Sequence, residues 1–215
     1  MSVDVAIIDY GMGNLHSVQA ACANVGLNSV ITGERAMIMS AKAAILPGVG
    51  AFGEAMEHLS SSGLDASIHR FIETGRPFIG ICLGLQLLFE RSEEFGMHEG
   101  LGLIKGSVKK FCLPNNGNEK YPIPQIGWNR VRQCGGWDNS FLRNNQDGDF
   151  MYFVHSYYVV PEDDAMVLAT TEYGGLEYCS AVGRGNLFAS QFHPEKSGPV
   201  GMRIYQQLKN NLECK

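Results

Sequence analysis

The stretch Phe78-Ile79-Gly80-Ile81-Cys82-Leu83-Gly84-Leu85-Gln86-Leu87-Leu88 constrains the fold of this chain more than any other. The apolar run from Pro77 to Ile81 reads as a short buried strand, and Leu83 to Phe89 reads as the start of a helix. A strand that passes directly into a helix at Cys82, with Gly80 and Gly84 on either side, needs a sharp corner with no room for side chains beside it. That corner puts the cysteine at a helix N-terminus, where free N–H groups and the helix dipole favour the thiolate over the thiol. A lone cysteine in an apolar stretch is usually core. The glycine frame marks Cys82 as a nucleophile instead.

A second motif, Gln191-Phe192-His193-Pro194-Glu195, supplies what a nucleophilic thiol requires. His193 offers the base, and Pro194 pushes it towards an extended backbone that aims its ring. Glu195 can accept from the imidazole and orient it, completing nucleophile, base and orienter.

The first half of the chain alternates strand and helix. Val3–Ile8 is an apolar strand; Leu15, Val18, Cys22 and Val25 then repeat at helical spacing, and Gly26 closes that helix. Ala43–Leu46 is a second buried strand, and Leu64, Ile68, Phe71 and Ile72 form a helical stripe that ends at Gly75. This alternation predicts an α/β fold with a central, mostly parallel sheet, helices on both faces, and functional loops at the strand C-termini. Beyond residue 100 the pattern changes to short strands: Ser107–Phe111, Asn129–Arg132, Met151–Val154, Met166–Thr171, Ser180–Gly183 and Leu187–Gln191. These add antiparallel strands to the second half. Pro114–Pro124 reads as loop, with its turn at Asn115-Asn116-Gly117-Asn118. The last helix takes Ser197 as cap and Pro199 in its first turn, then buries Met202, Tyr205 and Leu208.

With 215 residues the chain reads as one domain over residues 1–215, able to bury most of the surface it exposes when unfolded. A net charge of −5 without any basic run argues against a nucleic-acid partner. The six cysteines show no C-x-x-C pairing, so neither a zinc site nor a disulfide frame is expected, and a thiol nucleophile favours a reducing compartment. No signal-peptide pattern or membrane-length apolar stretch stands out, so the expected location is cytoplasmic, with no membrane partner. Gly11-Met12-Gly13 and Gly48-Val49-Gly50 continue into neither a P-loop nor a dinucleotide fingerprint, so no nucleotide cofactor is expected.

Taken together, Gly80-Ile81-Cys82-Leu83-Gly84-Leu85-Gln86 and Phe192-His193-Pro194-Glu195 resemble the class I (triad) glutamine amidotransferases. The peptidases and chaperones of the related cysteine-elbow group usually carry histidine directly after the cysteine, where this chain has Leu83. Three further segments are most similar to the branch of that family serving imidazole glycerol phosphate synthesis. They are Asp9-Tyr10-Gly11-Met12-Gly13-Asn14, Leu46-Pro47-Gly48-Val49-Gly50, and Ile126-Gly127-Trp128-Asn129 followed by Val154-His155-Ser156-Tyr157. The likeness runs from Val3 to the C-terminal helix.

The resemblance implies a glutaminase with glutamine as substrate, Cys82, His193 and Glu195 as catalytic residues, and no cofactor or metal. Leu83 N–H, next to the nucleophile, is one expected oxyanion donor, and the resemblance makes Val49 N–H the second. It also implies that Gly50, Gln86, His155, Ser156 and Tyr157 bind the substrate. Asn14, Trp128, Tyr152 and Lys196 are implied to face a (β/α)8 cyclase partner, with Trp128 as aromatic anchor, Tyr152 as a gate near the ammonia path and Lys196 as a charge for a cross-subunit pair. That partner would turn the ammonia into imidazole glycerol phosphate and AICAR, in histidine biosynthesis. The acceptor is not written in this chain. A paralogous glutaminase feeding another synthase, such as a sugar amidotransferase, therefore stays open, as does a non-catalytic scaffold subunit.

Overall fold

The computed structural model describes residues 3–112 and 121–213; the turn expected at Asn115–Asn118 lies outside them. The first half runs β1 (Val5–Ile8), α1 (Leu15–Asn24), β2 (Ser29–Thr32), α2 (Arg35–Ser40), β3 (Ala43–Gly48), α3 (Phe52–Ser62), α4 (Leu64–Glu73), β4 (Phe78–Cys82) and α5 (Leu83–Leu87). The second half is strand-rich. It holds β5 (Phe89–Ser92), β6 (His98–Glu99), β7 (Ile104–Lys110), β8 (Gln125–Arg130), β9 (Arg132–Gln133), β10 (Phe150–His155), β11 (Tyr157–Pro161), β12 (Val167–Tyr173), β13 (Leu176–Arg184) and β14 (Leu187–Ser190). A 3-10 turn at Pro194–Lys196 then leads into α6 (Gly198–Glu213).

The main sheet is ordered β2-β1-β3-β4-β14-β13-β11-β7-β5-β6. β1, β2, β3, β4 and β14 are parallel neighbours, while β13, β11 and β7 join antiparallel. Every residue of β1, β3, β4 and β14 is buried, as expected of strands covered on both faces. Alternate residues feed two cores. Val5, Ile7, Ile45 and Ile81 meet α1 and α6 through Val18, Cys22, Ile204 and Tyr205; Ala6, Ile8 and Leu46 meet α2 to α5 through Ile38, Phe52, Ile68 and Leu85. A separate antiparallel ribbon, β8 with β10, lies outside this sheet. Among the described residues no helix is long and apolar enough to cross a membrane.

The expected mixed α/β architecture is present, with three local corrections. The helix after Cys82 stops at Leu87, and Phe89 already belongs to a strand, because the apolar run Leu83–Phe89 serves a short helix and then an inward strand residue with the same composition. The strand expected at Asn129–Arg132 is the end of a longer one beginning at Gln125, broken at Val131 before β9. Ser197 does stand before α6, but its hydroxyl does not cap the helix. It accepts from Tyr152 N–H at 3.0 Å and donates to His193 C=O at 2.6 Å.

The strand order also places the functional loops. β2 lies on one side of β1 and β3 on the other, so the crevice beyond their C-termini is a topological switch point. The Gly11–Gly13 loop, the Val49–Gly50 loop and Cys82 all leave the sheet at this end.

Candidate active site

Cys82 ends β4 with φ +56° and ψ −109°, a conformation a non-glycine residue adopts only at a cost of about 1–3 kcal/mol. The surrounding packing enforces it. A Cβ on Gly84 would run into the Leu46 carbonyl oxygen, and one on Gly80 would lie 3.0 Å from both Ala189 Cβ and the Gly84 oxygen. Both glycines of the motif are therefore demanded by close approach. The thiol is 6% exposed, with Sγ 3.8 Å from the Val154 carbonyl and 3.7 Å from Gln191 Nε2. Burial pushes the thiols of Cys22 and Cys179 up to about 12, which leaves them inert at neutral pH.

His193 reaches Cys82 because β14 runs beside β4 in register, Ser190 opposite Ile81, so the chain beyond Ser190 passes the elbow. Its backbone N–H donates to Tyr152 C=O at 2.9 Å, which ties the histidine to β10. Its Nδ1–H donates to Glu195 Oε1 at 2.8 Å, with the two side chains only 2% and 1% exposed. The buried Nε2 has no partner at full hydrogen-bonding geometry and is left for the sulfur. Burial opposes a charge on this imidazole, but the Cys82 sulfur and the Glu195 carboxylate outweigh it and raise His193 to about 10. Both partners favour a protonated ring, which can then act as an acid.

A cavity of about 260 Å³ opens on Cys82, lined also by Val49, Gly50, Leu83, Gln86, Glu94, Pro124, Val154, His155, Ser156 and Tyr157. A larger cleft of about 460 Å³ beside Asp138 and Arg184 is lined by no cysteine or histidine, so the chemistry belongs to the smaller one. Among the described residues Val49 N–H makes no hydrogen bond, and Leu83 opens α5, where first-turn amides lack helical partners. Gln86 is fixed by donating from Nε2 to Tyr157 C=O (3.0 Å) and Gln191 Oε1 (3.1 Å), bonds that do not use its own Oε1. Ser156 and Tyr157 line the cavity, and the Ser156 carbonyl accepts from Phe111 N–H.

His155 lines the cavity, with its ring nitrogens engaged elsewhere. Its Nδ1–H donates to Tyr157 C=O at 2.8 Å and its Nε2 lies 3.2 Å from the Tyr178 hydroxyl, so neither ring nitrogen is free for a ligand. Burial, only partly offset by the Tyr157 bond and reinforced by nearby His193, lowers it to about 4. Its side chain is a neutral, satisfied core histidine packed among Phe111, Phe153 and Tyr178.

Of the four residues expected at a partner surface, three come together. Trp128 and Tyr152 are directly opposed on β8 and β10, their rings 6.1 Å apart edge to face, and Lys196 Nζ sits 5.8 Å over the Tyr152 ring. Trp128 is 55% exposed and neighbours Ile126 at 63% and Phe150 at 45% on the same outward face. Asn14 precedes α1, half-buried, with its carbonyl accepting from Val18 N–H.

Two side chains at the site were given no role by the sequence. Among the described residues Glu94 is the one acidic residue lining the cavity, held by Phe52 N–H donating to its Oε2 at 2.7 Å; in sequence it is half of an ordinary Glu-Glu pair. The Tyr10 phenol is 5% exposed, presses on Gly48, and has a hydroxyl without a partner among the described residues. Burial and the Cys82 sulfur push it far above the ordinary phenol range, so it keeps its proton.

Comparisons with known proteins identify the family. Residues 6–209 match the family model for glutamine amidotransferase class-I. The chain is 48% identical over 212 residues to the imidazole glycerol phosphate synthase subunit HisH of Syntrophotalea carbinolica, covering 96% of this chain and 98% of that one. It is likewise 48% identical over 200 residues to the subunit HisH of Geobacillus kaustophilus, covering 93% of each. Among solved structures, PurLQS from Thermotoga maritima superposes with a TM-score of 0.73 at 21% identity, covering 99% of this chain and 100% of the other, a likeness of fold alone. By family match and near-full-length identity, the chain belongs to the class-I glutamine amidotransferases.

Proposed function

We propose that this chain is the glutaminase subunit of imidazole glycerol phosphate synthase, hydrolysing glutamine through Cys82, His193 and Glu195 and passing the ammonia to a (β/α)8 cyclase subunit. The observation that carries the chemistry is His193, held by Glu195 at 2.8 Å and raised to about 10 by the sulfur and that carboxylate. The near-full-length likeness to subunits named HisH supports the pathway.

In this reading glutamine enters the 260 Å³ cavity with its γ-amide against Cys82. The Glu94 carboxylate pairs with the substrate's α-ammonium, and Gly50, Gln86, Ser156, Tyr157 and the non-nitrogen atoms of His155 shape the rest of the pocket. The Cys82 thiolate attacks the γ-carbonyl carbon, and Leu83 N–H and Val49 N–H hold the oxyanion. Losing one such donor costs on the order of 10²–10³ in rate. The imidazolium of His193 gives its proton to the departing nitrogen, ammonia leaves, and a glutamyl thioester remains. His193 then takes a proton from water, which attacks the thioester; glutamate departs and the thiolate is restored. Glu195 stays ionised throughout and orients the ring.

Free ammonia becomes ammonium in bulk water, so a partner that receives it directly is part of the reading. Trp128 and Tyr152, with Lys196 over the Tyr152 ring and Arg130 over the Phe150 ring, form the largely apolar, positively charged face on which the cyclase would dock, with Tyr152 beside the ammonia route and Asn14 as a further contact. The test is glutamine turnover by the purified chain, alone and with a cyclase subunit and its nucleotide ligand. Stimulation by both is the expected result. Turnover that needs Cys82 but ignores the cyclase would move the acceptor to another synthase, and no turnover under any condition would leave a scaffold.

A further inference from the structure

Gln191 opens the motif that carries His193, yet the chemistry above leaves it without a task. It directly follows β14, whose register sets Ser190 beside Ile81 and so brings Gln191 alongside Cys82. Its side chain is fully buried, and its backbone N–H donates to Ser180 C=O on β13 at 2.9 Å. A primary amide has an acceptor end and a donor end, and in such a place both need partners.

Those partners fix which way the amide points. Tyr157 C=O can only accept, and it takes His155 Nδ1–H at 2.8 Å and Gln86 Nε2–H at 3.0 Å. Gln86 therefore presents its NH2 end, whose second hydrogen goes to Gln191 Oε1 at 3.1 Å. With its oxygen used there, Gln191 turns its own NH2 to the nucleophile, Nε2 lying 3.7 Å from Cys82 Sγ. One carbonyl thus sets the direction of three hydrogen bonds in a row, and the last donor of the chain faces the sulfur.

We propose that Gln191 holds the Cys82 sulfur in its ionised form: its Nε2–H donates to the thiolate, and the chain through Gln86 to the Tyr157 carbonyl keeps that donor from turning away. The proposal rests on the glutaminase reading above. A thiol can donate to Val154 C=O, 3.8 Å from Sγ, whereas a thiolate beside that carbonyl is disfavoured unless donors face it from elsewhere. His193 is one such donor, and it gives its proton away in every cycle. The Gln191 amide is the other, and it keeps both hydrogens at every working pH. The remaining titratable groups around the sulfur are Tyr10, which stays protonated, Glu195 behind His193, and His155 and Glu94 lining the same cavity. All of them are common to the parent and the variants below, so a difference between those chains reads Gln191.

The test is alkylation of the full chain by iodoacetamide across pH, read by mass spectrometry on the peptide that holds Cys82. Only the thiolate reacts, so the midpoint of the profile reports the ionisation of that sulfur. Exposed Cys112 and Cys134 serve as the internal reference, and buried Cys22 and Cys179 stay unlabelled as long as the chain is folded. Gln191→Met removes the donor at similar volume. The midpoint should move up by about one pH unit, a roughly tenfold smaller thiolate fraction below it. In the chain assembled with the cyclase, the acid limb of kcat/KM should move by the same amount, because that limb reports the free enzyme. Gln86→Met, which unties the amide, should shift the midpoint the same way by less. A parental midpoint in Q191M, whatever happens to turnover or thermal stability, would overturn the proposal and return Gln191 to packing. If Q191M labels Cys22 or Cys179, Q86M carries the test, and a parental midpoint there overturns it equally. Turnover that survives C82A would sink the glutaminase reading and this inference with it; turnover abolished in C82A beside a parental midpoint in Q191M would sink the inference alone.

Discussion

The two strands that bear on Cys82 from opposite sides could hardly differ more. β4 is buried at every position and gripped by parallel neighbours, so its elbow is set by the interior alone. β10 buries only alternate residues, pairs with the single strand β8, and shows aromatic side chains to solvent. The nucleophile is thus held by a rigid sheet and overlain by a ribbon whose outer face is unfinished. The first kind of surface specifies a fold; the second asks for a partner.

That contrast can be broken at its strongest point by C82A. We expect glutamine turnover to fall by on the order of 10⁴ or more, with folding intact, because an alanine fits the same buried corner. Turnover near the parental value would remove the sheet side from the chemistry altogether. Next in size is Gly84→Ala, which drives a methyl group into the Leu46 carbonyl. It should cost about 3 kcal/mol, read as a lower denaturation midpoint at unchanged slope; a neutral result would mean that the elbow is softer than its packing implies.

On the ribbon the expectation reverses. Trp128→Ala should leave the stability of the isolated chain within about 0.5 kcal/mol. It should weaken binding of the cyclase subunit by about 2 kcal/mol, near 30-fold in a calorimetric Kd. Unchanged affinity would take Trp128 out of the docking face.

The smallest effects sharpen the comparison through pH. His155, lowered to about 4 behind the ribbon, stays neutral in the fold while the unfolded chain takes up its proton near the ordinary 6.5. Stability should therefore decline as pH falls from 6.5 towards 4, and His155→Phe should flatten that decline. His193 has the opposite sign. Raised to about 10, it stabilises fully below 6.5, and its contribution is lost as pH climbs through 10. Denaturation midpoints of the parent and single variants across both windows separate the two; equal slopes would mean that neither histidine is perturbed as described.

Much of the sheet side was legible in the sequence, because its signals are local. Apolar runs specify β1, β3 and β4, and the Gly80 and Gly84 frame announces the elbow. The pairing of Cys82 with the distant His193 motif was reached by chemistry, since a thiol nucleophile needs a base. What stayed hidden depends on which surfaces meet. Glu94 looks like solvated charge until β5 and β6 carry it to the cavity. His155 shows the converse: a motif places it at the site, whereas its ring nitrogens are claimed by Tyr157 and Tyr178.

Tyr152 gathers these threads in one residue. Its amide is held by Ser197, its carbonyl holds the His193 N–H, and its ring lies outside between Trp128 and Lys196. Two positions along the same strand, Val154 touches the sulfur. Anything that leans on the ring from outside is therefore pressing on the peptide units that hold the base and overhang the nucleophile. At this point the wall between the chemistry and whatever docks on the molecule is a single strand thick.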